Sequence, residues 1–251
     1  MKWGQSRFSL PVRNKAGMCG RYVSSTQAEM ERYWELTDAE IRSPLAQRFN
    51  VSPTMIVPVI YRTTEGLCLV PARWGLVPFW WKGAKPPKHT FNARSEEVAT
   101  NPMWRLAGSN SRCLVPAVGW YEWKEVERIH PPTGEVRRQP YLIQRTDREP
   151  IAFAGLMARR NQDGDTLEFT CTILTRDALG DASAIHERMP IALPKDAEAA
   201  WLDPGMTDAA AVVGFARDNA ITDFTVHPVN PRVNHSNNEG EELIERFTNP
   251  A

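Results

Sequence analysis

Four short segments of this sequence combine side chains that can act as nucleophiles, acids or bases. The first is residues 18–22, in which Cys19 follows a methionine and precedes Gly20 and Arg21. With the residues before it absent, Cys19 would carry a free α-amine, whose pKa is ordinarily ~7.7–8.0, beside its thiol. That 1,2-aminothiol condenses with an aldehyde, first to an imine and then, through the thiol, to a five-membered thiazolidine. Inside a chain, a cysteine is more often a small buried hydrophobic residue.

The second segment, residues 91–96, offers polar groups for a sugar and a phosphate. Asn92 can bond to a hydroxyl group, and Arg94 can pair with a phosphate. The same residues are also typical of a helix start, with Asn92 or Ser95 as the N-cap. Taken alone, the segment favours the helix start over a binding role.

The third segment, residues 119–124, places a carboxyl group among three aromatic residues. Glu122 follows an apolar run, and in a strand it shares a face with Trp120 and Lys124. One interpretation is a partly buried glutamate paired with an arginine or lysine. The other is a proton shuttle, because apolar surroundings raise the pKa of a carboxyl group toward neutrality.

The fourth segment, residues 185–190, contains His186 just before a Pro-Ile-Ala-Leu run that predicts a strand. A single histidine is more often structural than catalytic. Its position where a loop meets a strand is nevertheless one at which proteins often display functional side chains. None of the four segments identifies a function by itself.

The composition excludes several classes of protein. Lys+Arg and Asp+Glu both number 30, so binding to nucleic acid would need a local basic face. No run approaches the ~18 apolar residues of a membrane span. The four cysteines lie far apart and lack metal-ligand spacing to the five histidines, which is typical of reduced thiols in the cytoplasm. We therefore expect a cytoplasmic, monomeric protein with no membrane segment, bound metal or cofactor.

Short β-type runs dominate the chain, and a few helical patterns lie between them. The order does not alternate as in a doubly wound sheet, so it predicts a single α+β domain with antiparallel-rich, barrel-like sheets and peripheral helices. The predicted strands are Ile56–Tyr61, Leu67–Ala72, Arg112–Val118, Tyr141–Gln144, Ile151–Met157, Phe169–Thr175 and Phe224–Val229. The predicted helices are Thr26–Glu35, Ser95–Ala99, Lys195–Trp201, Asp208–Arg217 and Glu239–Phe247, and the predicted surface loops are Lys82–Lys88 and Glu127–Arg138.

The four segments and two further ones occur together in an order that resembles the SOS-response-associated peptidase (SRAP) family. The further segments are Asn50–Pro53 and Arg73–Pro78, and the spacing matches from residue 18 to about residue 247. Six motifs in register over that length are a specific signal. The resemblance implies a single α+β domain that cross-links to abasic sites in single-stranded DNA through the cysteine following the initiator methionine, here Cys19.

By position, the resemblance also assigns roles to other residues of the site. It implies that Asn92 helps to hold the abasic sugar, that Glu122 is the acid/base carboxylate, and that His186 lies near the opened sugar and its phosphate. The phosphate-binding arginines would be Arg21, Arg94 and Arg188, and the wedge against a neighbouring base would comprise Pro53, Trp80 and Trp81. For the two tryptophans, core packing is an equally good explanation, because adjacent strand residues face opposite sides.

Residues 1–17 precede the point at which the resemblance begins. They contain four basic residues and no acidic ones, and they lack the apolar core of a signal peptide. We interpret them as a disordered leader or a misassigned start, followed by a domain over residues 18–247 and a tail over 248–251. With the leader attached, Cys19 has no free amine.

Two alternative functions remain open from the sequence. A cysteine peptidase would use Cys19 as a thiolate, His186 as its base and Asn92 in a supporting or oxyanion role, and it would work with Cys19 inside the chain. A non-catalytic module would bind single-stranded DNA through the arginines and tryptophans alone.

Overall fold

The computed structural model describes residues 19–37, 45–128, 136–162 and 166–248. The predicted leader over residues 1–17, and residues 249–251 of the predicted tail, lie outside the described residues. The described strands are β1 Tyr22–Ser24, β2 Ile56–Arg62, β3 Leu67–Trp74, β4 Asn92–Arg94, β5 Arg112–Arg128, β6 Val136–Arg145, β7 Ile151–Gln162, β8 Thr166–Asp177, β9 Arg188–Pro190, β10 Ala192–Leu193 and β11 Phe224–Pro228. The described α-helices are α1 Gln27–Trp34, α2 Arg105–Asn110, α3 Lys195–Trp201 and α4 Ala209–Asp218.

Five strands close into a barrel. The sheet runs in the order β7-β8-β3-β2-β5, and β5 also pairs with β7, which completes the ring. Pairing within it is antiparallel except between β3 and β8, where Trp74 lies opposite Cys171 in parallel register. The closed ring and the surrounding helices confirm the predicted α+β fold with a barrel-like core. Closure of the barrel also reduces the number of unpaired strand edges.

Side chains of the barrel strands point alternately into two different hydrophobic cores. One set, which includes Val115 of β5 and Phe153 of β7, fills the barrel interior. The other, which includes Leu114 of β5, faces outward and is covered by the helices. Adjacent residues on one strand belong to different cores because successive side chains point to opposite faces. The sheet is therefore buried on both sides around the barrel.

Helix α1 begins and ends as its sequence predicts. Thr26 and Glu29 form a capping box, in which each side chain accepts a hydrogen bond from the other residue's backbone N–H. The indole of Trp34 in its last turn donates to Glu198 of α3 over 2.9 Å, so α1 is fixed against α3.

Among the described residues no helix is both long and apolar enough to cross a membrane.

Most of the predicted elements are present, and the differences have local causes. All seven predicted strands and three predicted helices, over residues 26–35, 195–201 and 208–217, are confirmed. The predicted helix Glu239–Phe247 is wrong, because the segment contains only a short 3₁₀ turn over Glu241–Leu243. A regular helix cannot run through Gly240, whose φ is +125°. The predicted helix Ser95–Ala99 is a 3₁₀ turn over Ser95–Glu97. The predicted loop Glu127–Arg138 is partly strand.

Candidate active site

The pairing of short strands with the barrel brings the segments that carry Asn92, Glu122 and His186 to the surroundings of Cys19. Cys19 precedes β1, which pairs with β5 so that Tyr22 lies opposite Trp120, two residues before Glu122. The strands β4 and β9, which begin at Asn92 and just after His186, both pair with β8. The barrel thus holds segments distant in sequence around Cys19.

Both potential nucleophilic atoms of Cys19 lie beside the same carboxyl group. The backbone nitrogen of Cys19 donates to Oε1 of Glu122 over 2.8 Å, and the charge of that carboxyl group acts on the thiol. The sulfur lies 3.8 Å from the carbonyl oxygen of Arg188. Cys19 is 4% exposed, and its backbone φ of +43° lies in the left-handed region that non-glycine residues rarely adopt. The cysteine is held in an unusual conformation that directs nitrogen and sulfur to one acid.

Burial sets the protonation of this pair. It raises the pKa of the Cys19 thiol well above its usual value, and the negative charge of Glu122 raises it further. Burial likewise raises the pKa of Glu122 from 4.5 to about 6, although a positive charge on His186 and the hydrogen bonds from Cys19 oppose the rise. Near neutral pH the site therefore holds a neutral thiol beside a carboxyl group that can exchange a proton.

Asn92 and His186 complete the surroundings of Cys19. The side-chain nitrogen of Asn92 donates to the carbonyl oxygen of Cys19 over 3.3 Å. The backbone nitrogen of Arg188 donates to Nδ1 of His186 over 3.1 Å, and Nδ1 also lies 3.3 Å from the carbonyl oxygen of Arg188. His186 is half-buried, and because both contacts involve Nδ1, Nε2 is left for a bound molecule.

Arg188 is buried in an ion-pair network. Its guanidinium group is paired with Glu96 at 2.9 Å and Asp177 at 2.5 Å, and it donates to the carbonyl oxygen of Thr175 over 2.8 Å. Only 6% of Arg188 is exposed. Its backbone contacts both the Cys19 sulfur and His186, so this side chain fixes the segment that surrounds the thiol. In this structure the guanidinium group is bonded to the protein, whereas the family resemblance implies that it binds a phosphate.

Arg21 is also engaged by the protein. Its guanidinium group donates to the side-chain oxygen of Asn50 over 2.8 Å and to the carbonyl oxygens of Val233 and Asn234 over 2.7 and 3.2 Å. Asn50 is fully buried, and its side-chain nitrogen donates to carbonyl oxygens of the same segment, over 233–238. The pair anchors that C-terminal segment against the strand that follows Cys19.

The remaining predicted DNA-binding residues lie at the surface. Arg94 is exposed and pairs with none of the described residues, and it shares a face of β4 with Asn92. Trp80 is 41% exposed, while Trp81 and Pro53 are half-buried. Core packing is therefore wrong for Trp80.

The helix-cap role is wrong for Asn92, which lies in a strand, and for Ser95, which is the first residue of its 3₁₀ turn.

Sequence reasoning missed three residues that support the site. Asn50 was part of a motif but received no role, and Glu96 ended another. Asp177, at the end of β8, belonged to none. Glu96 and Asp177 lie 92 and 11 residues from Arg188 in sequence, and Asn50 lies 183 to 188 residues from the carbonyl oxygens that it binds in the C-terminal segment.

Among the described residues no group of three or more histidine, cysteine or acidic side chains is placed to bind a metal.

A sequence model of one family, described as SOS response associated peptidase (SRAP), matches residues 18–236 of this chain. The chain belongs to the SRAP family. The predicted resemblance is confirmed, and the matched range contains Cys19, Asn92, Glu122 and His186.

Two curated relatives align with this chain over nearly their whole length. The abasic site processing protein YoqW of Bacillus subtilis is 32% identical over 91% of this chain and 99% of the relative. The abasic site processing protein YedK of Escherichia coli is 31% identical over the same shares. The solved structure of a phage-related protein from Bordetella bronchiseptica is 30% identical over 84% of this chain and 94% of its own, with a TM-score of 0.64. A protein from Bacteroides thetaiotaomicron, at 20% identity and a TM-score of 0.70 over 91% of this chain and 100% of its own, shares the fold.

Proposed function

We propose that this protein captures abasic sites in single-stranded DNA by forming a thiazolidine between the abasic aldehyde and an N-terminal Cys19. The observation that carries the proposal is the position of one buried carboxyl group, that of Glu122, which accepts from the nitrogen of Cys19 over 2.8 Å and acts on the neighbouring thiol. The names of the SRAP relatives, which are abasic site processing proteins, support the substrate. The proposal requires that the residues before Cys19 be removed, since an amide nitrogen cannot form an imine.

The first step forms an imine. An abasic sugar opens to an aldehyde when its C1 hydroxyl group loses a proton and its ring oxygen gains one, and a hydrogen bond from Nε2 of His186 to the ring oxygen can assist this transfer. The neutral amine of Cys19 attacks the aldehyde carbon, and Glu122 transfers one proton from the nitrogen to the carbonyl oxygen, which gives a carbinolamine. Glu122 transfers the second proton from the nitrogen to the hydroxyl group, which leaves as water as the C=N bond forms.

The second step closes the ring. The thiol adds to the imine carbon, and its proton passes to the nitrogen through Glu122. Because the pKa of the Cys19 thiol is raised, the thiol remains protonated and carries the proton that the nitrogen must receive. In total, one aldehyde and one aminothiol give one thiazolidine and one water. Asn92 holds the Cys19 carbonyl group so that both reacting atoms keep their direction.

Among the arginines, the exposed Arg94 is the one we assign to a phosphate. Arg188 and Arg21 act through positioning, because their guanidinium groups bond to acidic side chains and to backbone carbonyl oxygens of the protein. Trp80 lies at the surface and can stack on a base beside the lesion, a contact worth ~1–3 kcal/mol. DNA binding in this proposal thus depends on local groups in a protein of zero net charge.

Self-cleavage before Cys19 is a second candidate, and one observation favours it. Oε1 of Glu122 lies 2.8 Å from the nitrogen that would leave if the Met18–Cys19 bond were broken, so Glu122 can protonate it. A general cysteine peptidase is less well supported. It needs a thiolate, and burial raises the pKa of this thiol instead.

A denaturing gel tests the proposal. The protein beginning at Cys19 is mixed with single-stranded oligonucleotides that carry an abasic site or are intact. We expect a heat-stable shifted band with the abasic oligonucleotide alone. Cys19→Ala should abolish the band, and Cys19→Ser should leave at most a labile imine that borohydride traps. Binding without a shifted band would reduce the protein to a DNA-binding module, and a full cross-link from Cys19→Ala would refute the assignment.

A further inference from the structure

Helices α1 and α3 meet at a buried carboxyl group that takes no part in the proposed reaction. Glu198 of α3 is only 5% exposed, and its Oε2 accepts from the indole of Trp34 in α1 over 2.9 Å. Its Oε1 is also buried, and it has no hydrogen-bond partner among the described residues. Burial of a carboxylate oxygen without a partner is costly, because the oxygen loses its water and gains no donor in exchange. The contact between the helices therefore favours the neutral form of Glu198.

One basic side chain links this carboxyl group to the aromatic rings of α1. The ammonium nitrogen of Lys195 lies 3.4 Å from Oε2 of Glu198 and donates to the carbonyl oxygen of Tyr33 over 2.7 Å. The same nitrogen lies 4.6 Å from the ring centre of Tyr33 and 5.6 Å from that of Trp34, within the range of a cation–π contact. Lys195 belongs to α3 and both rings belong to α1, so α1 must stay in place to keep Glu198 covered.

The other charged groups around the contact come from β6 and the turn that follows it. Arg145 donates to Asp147 over 2.8 Å and to the hydroxyl group of Tyr33 over 3.2 Å. Burial raises the pKa of Tyr33 above its usual value of 10, and the negative charge of Glu149 adds to the rise. Near neutral pH, Tyr33 therefore stays neutral and Arg145 stays charged. The carboxyl group of Glu198 is left as the group whose charge can change.

The pKa of Glu198 differs between the closed contact and an open one. Burial raises it from 4.5 to about 7, although the positive charges of Lys195 and Arg145 oppose the rise. When α1 leaves α3, water reaches the carboxyl group and the pKa returns toward 4.5. Because the closed contact favours the neutral form, its contribution to stability is fully present below about pH 4.5 and is lost as pH rises through about 7.

We propose that Glu198 is a pH-sensitive switch that holds α1 against α3 when its carboxyl group is protonated and favours the release of α1 when it ionises. Helix α1 follows β1 after Ser25 and Thr26, and β1 begins three residues after Cys19. Helix α3 follows β9 and β10, which come shortly after His186. The switch thus joins the two chain segments that lead away from the proposed active site, and a rise in pH loosens their connection.

Hydrogen exchange of the backbone N–H groups of α1, measured on the full chain without DNA, tests the switch. The measured quantity is the opening constant, the ratio of released to attached α1, after correction for the pH dependence of exchange itself. It should rise by about 10- to 100-fold between pH 5 and pH 7.5 as the pKa moves from about 7 to 4.5 on opening. Glu198→Gln keeps an oxygen that accepts from Trp34 but cannot ionise, so it should abolish the rise. A parent without the rise, or a Glu198→Gln protein that retains it, would overturn the inference.

A second variant leaves the carboxyl group in place. Trp34→Phe removes the donor to Oε2 of Glu198, and that hydrogen bond is one of the interactions that hold the pKa of Glu198 down. The opening constant should therefore be higher than in the parent at every pH, and its rise between pH 5 and pH 7.5 should be larger. A rise equal to that of the parent would count against the switch.

Two control variants separate Glu198 from other carboxyl groups. Asp196→Asn removes an exposed carboxyl group from the same helix and should leave the rise as in the parent. Glu122→Gln removes the other buried glutamate, which contributes to the pH dependence of global unfolding, and it should also leave the rise unchanged because α1 opens without unfolding the barrel. If either control reduces the rise as much as Glu198→Gln does, the release of α1 is not governed by Glu198 and the inference is wrong.

Discussion

Glu122 occupies the position at which one carboxyl group can serve both bonds of the proposed reaction. Its side chain is 2% exposed, accepts from the nitrogen of Cys19 and acts on the neighbouring thiol. A surface glutamate would be fully ionised near neutral pH and a poor acid. Burial raises the pKa of Glu122 to about 6, which brings it near the range in which a group both accepts and donates protons.

Replacing Glu122 by glutamine should slow cross-linking by about 100-fold, the scale of one acid/base group, while DNA binding changes little. Deprotonation of the amine should raise the rate with pH in both proteins, whereas the additional rise through about 6, as Glu122 ionises, should be absent from Glu122→Gln. Rates measured on a saturating abasic oligonucleotide from pH 5 to 8 provide the check. A parallel loss of rate and of binding affinity would instead indicate a structural role.

Protein stability should move in the opposite direction from activity. Because the folded-state pKa of Glu122 is raised from 4.5 to about 6, its neutral form is favoured by folding. The contribution is fully present below about pH 4.5 and is lost as pH rises through about 6, at a cost of about 2 kcal/mol. Glu122→Gln should not show this decline. Thermal unfolding of both proteins at pH 4.5 and pH 7 measures it.

At the scale of elements, the strand β9 depends on one buried cation. Arg188 bonds to Asp177 at the end of β8 and to Glu96 in the turn after β4, while its backbone contacts Cys19 and His186. The side chain thereby ties together the two short strands that flank the site. Because Glu96 and Asp177 are 39% and 85% exposed, solvent screens these ion pairs, and removing Arg188 should cost less than the ~3–5 kcal/mol of a fully buried pair.

Arg94 and Arg188 should therefore respond differently to replacement by alanine. Arg94→Ala should lower the slope of log affinity against log salt by about 0.7 and leave the melting temperature unchanged. Arg188→Ala should lower the melting temperature and slow cross-linking, while the slope stays at the parent value. Salt titrations and thermal scans of the two variants distinguish a phosphate contact from a structural role. A reduced slope in a well-folded Arg188→Ala protein would indicate that Arg188 contacts a phosphate directly.

The sequence predicted the long elements well and the short ones poorly. Runs such as Ile151–Met157 are apolar enough to identify a buried strand, whereas two or three residues, as in β1 or β10, are too few to show a period. The 17-residue β5 was predicted as seven because its charged second half, after Glu122, does not resemble a buried strand. Tertiary pairing with β6 overrides that local pattern.

The site was predictable in its reactive residues and unpredictable in its arginines. Motif order sufficed to select Cys19, Asn92 and Glu122, and the structure brings them into contact. Whether an arginine faces a phosphate or a carboxylate depends on partners far away in sequence. Asp177 is 11 residues from Arg188 and belongs to no motif, so nothing in the sequence indicated that this cation is already paired.

At the scale of the whole molecule, the state of the chain before Cys19 should decide activity. A protein with residues 1–18 attached should be inert toward abasic DNA, because the nitrogen of Cys19 is then an amide. One that begins at Cys19 should react. Intact-mass measurement of each preparation, followed by the denaturing gel, tests this. An uncut 251-residue protein that cross-links as fast as the short one would contradict the aminothiol mechanism, and self-trimming blocked by Cys19→Ala would favour the second candidate.

The left-handed backbone of Cys19 adds a thermodynamic bias to that bond. Its φ of +43° is a torsion defined by the carbonyl carbon of residue 18, and such a conformation costs a non-glycine residue ~1–2 kcal/mol. Hydrolysis of the Met18–Cys19 bond removes that torsion, so the folded protein releases the strain and favours the cut form by about 5- to 30-fold. Glycine bears no such cost. Cys19→Gly should therefore melt at a higher temperature than Cys19→Ala in the uncut chain, and the difference should shrink in chains that begin at residue 19.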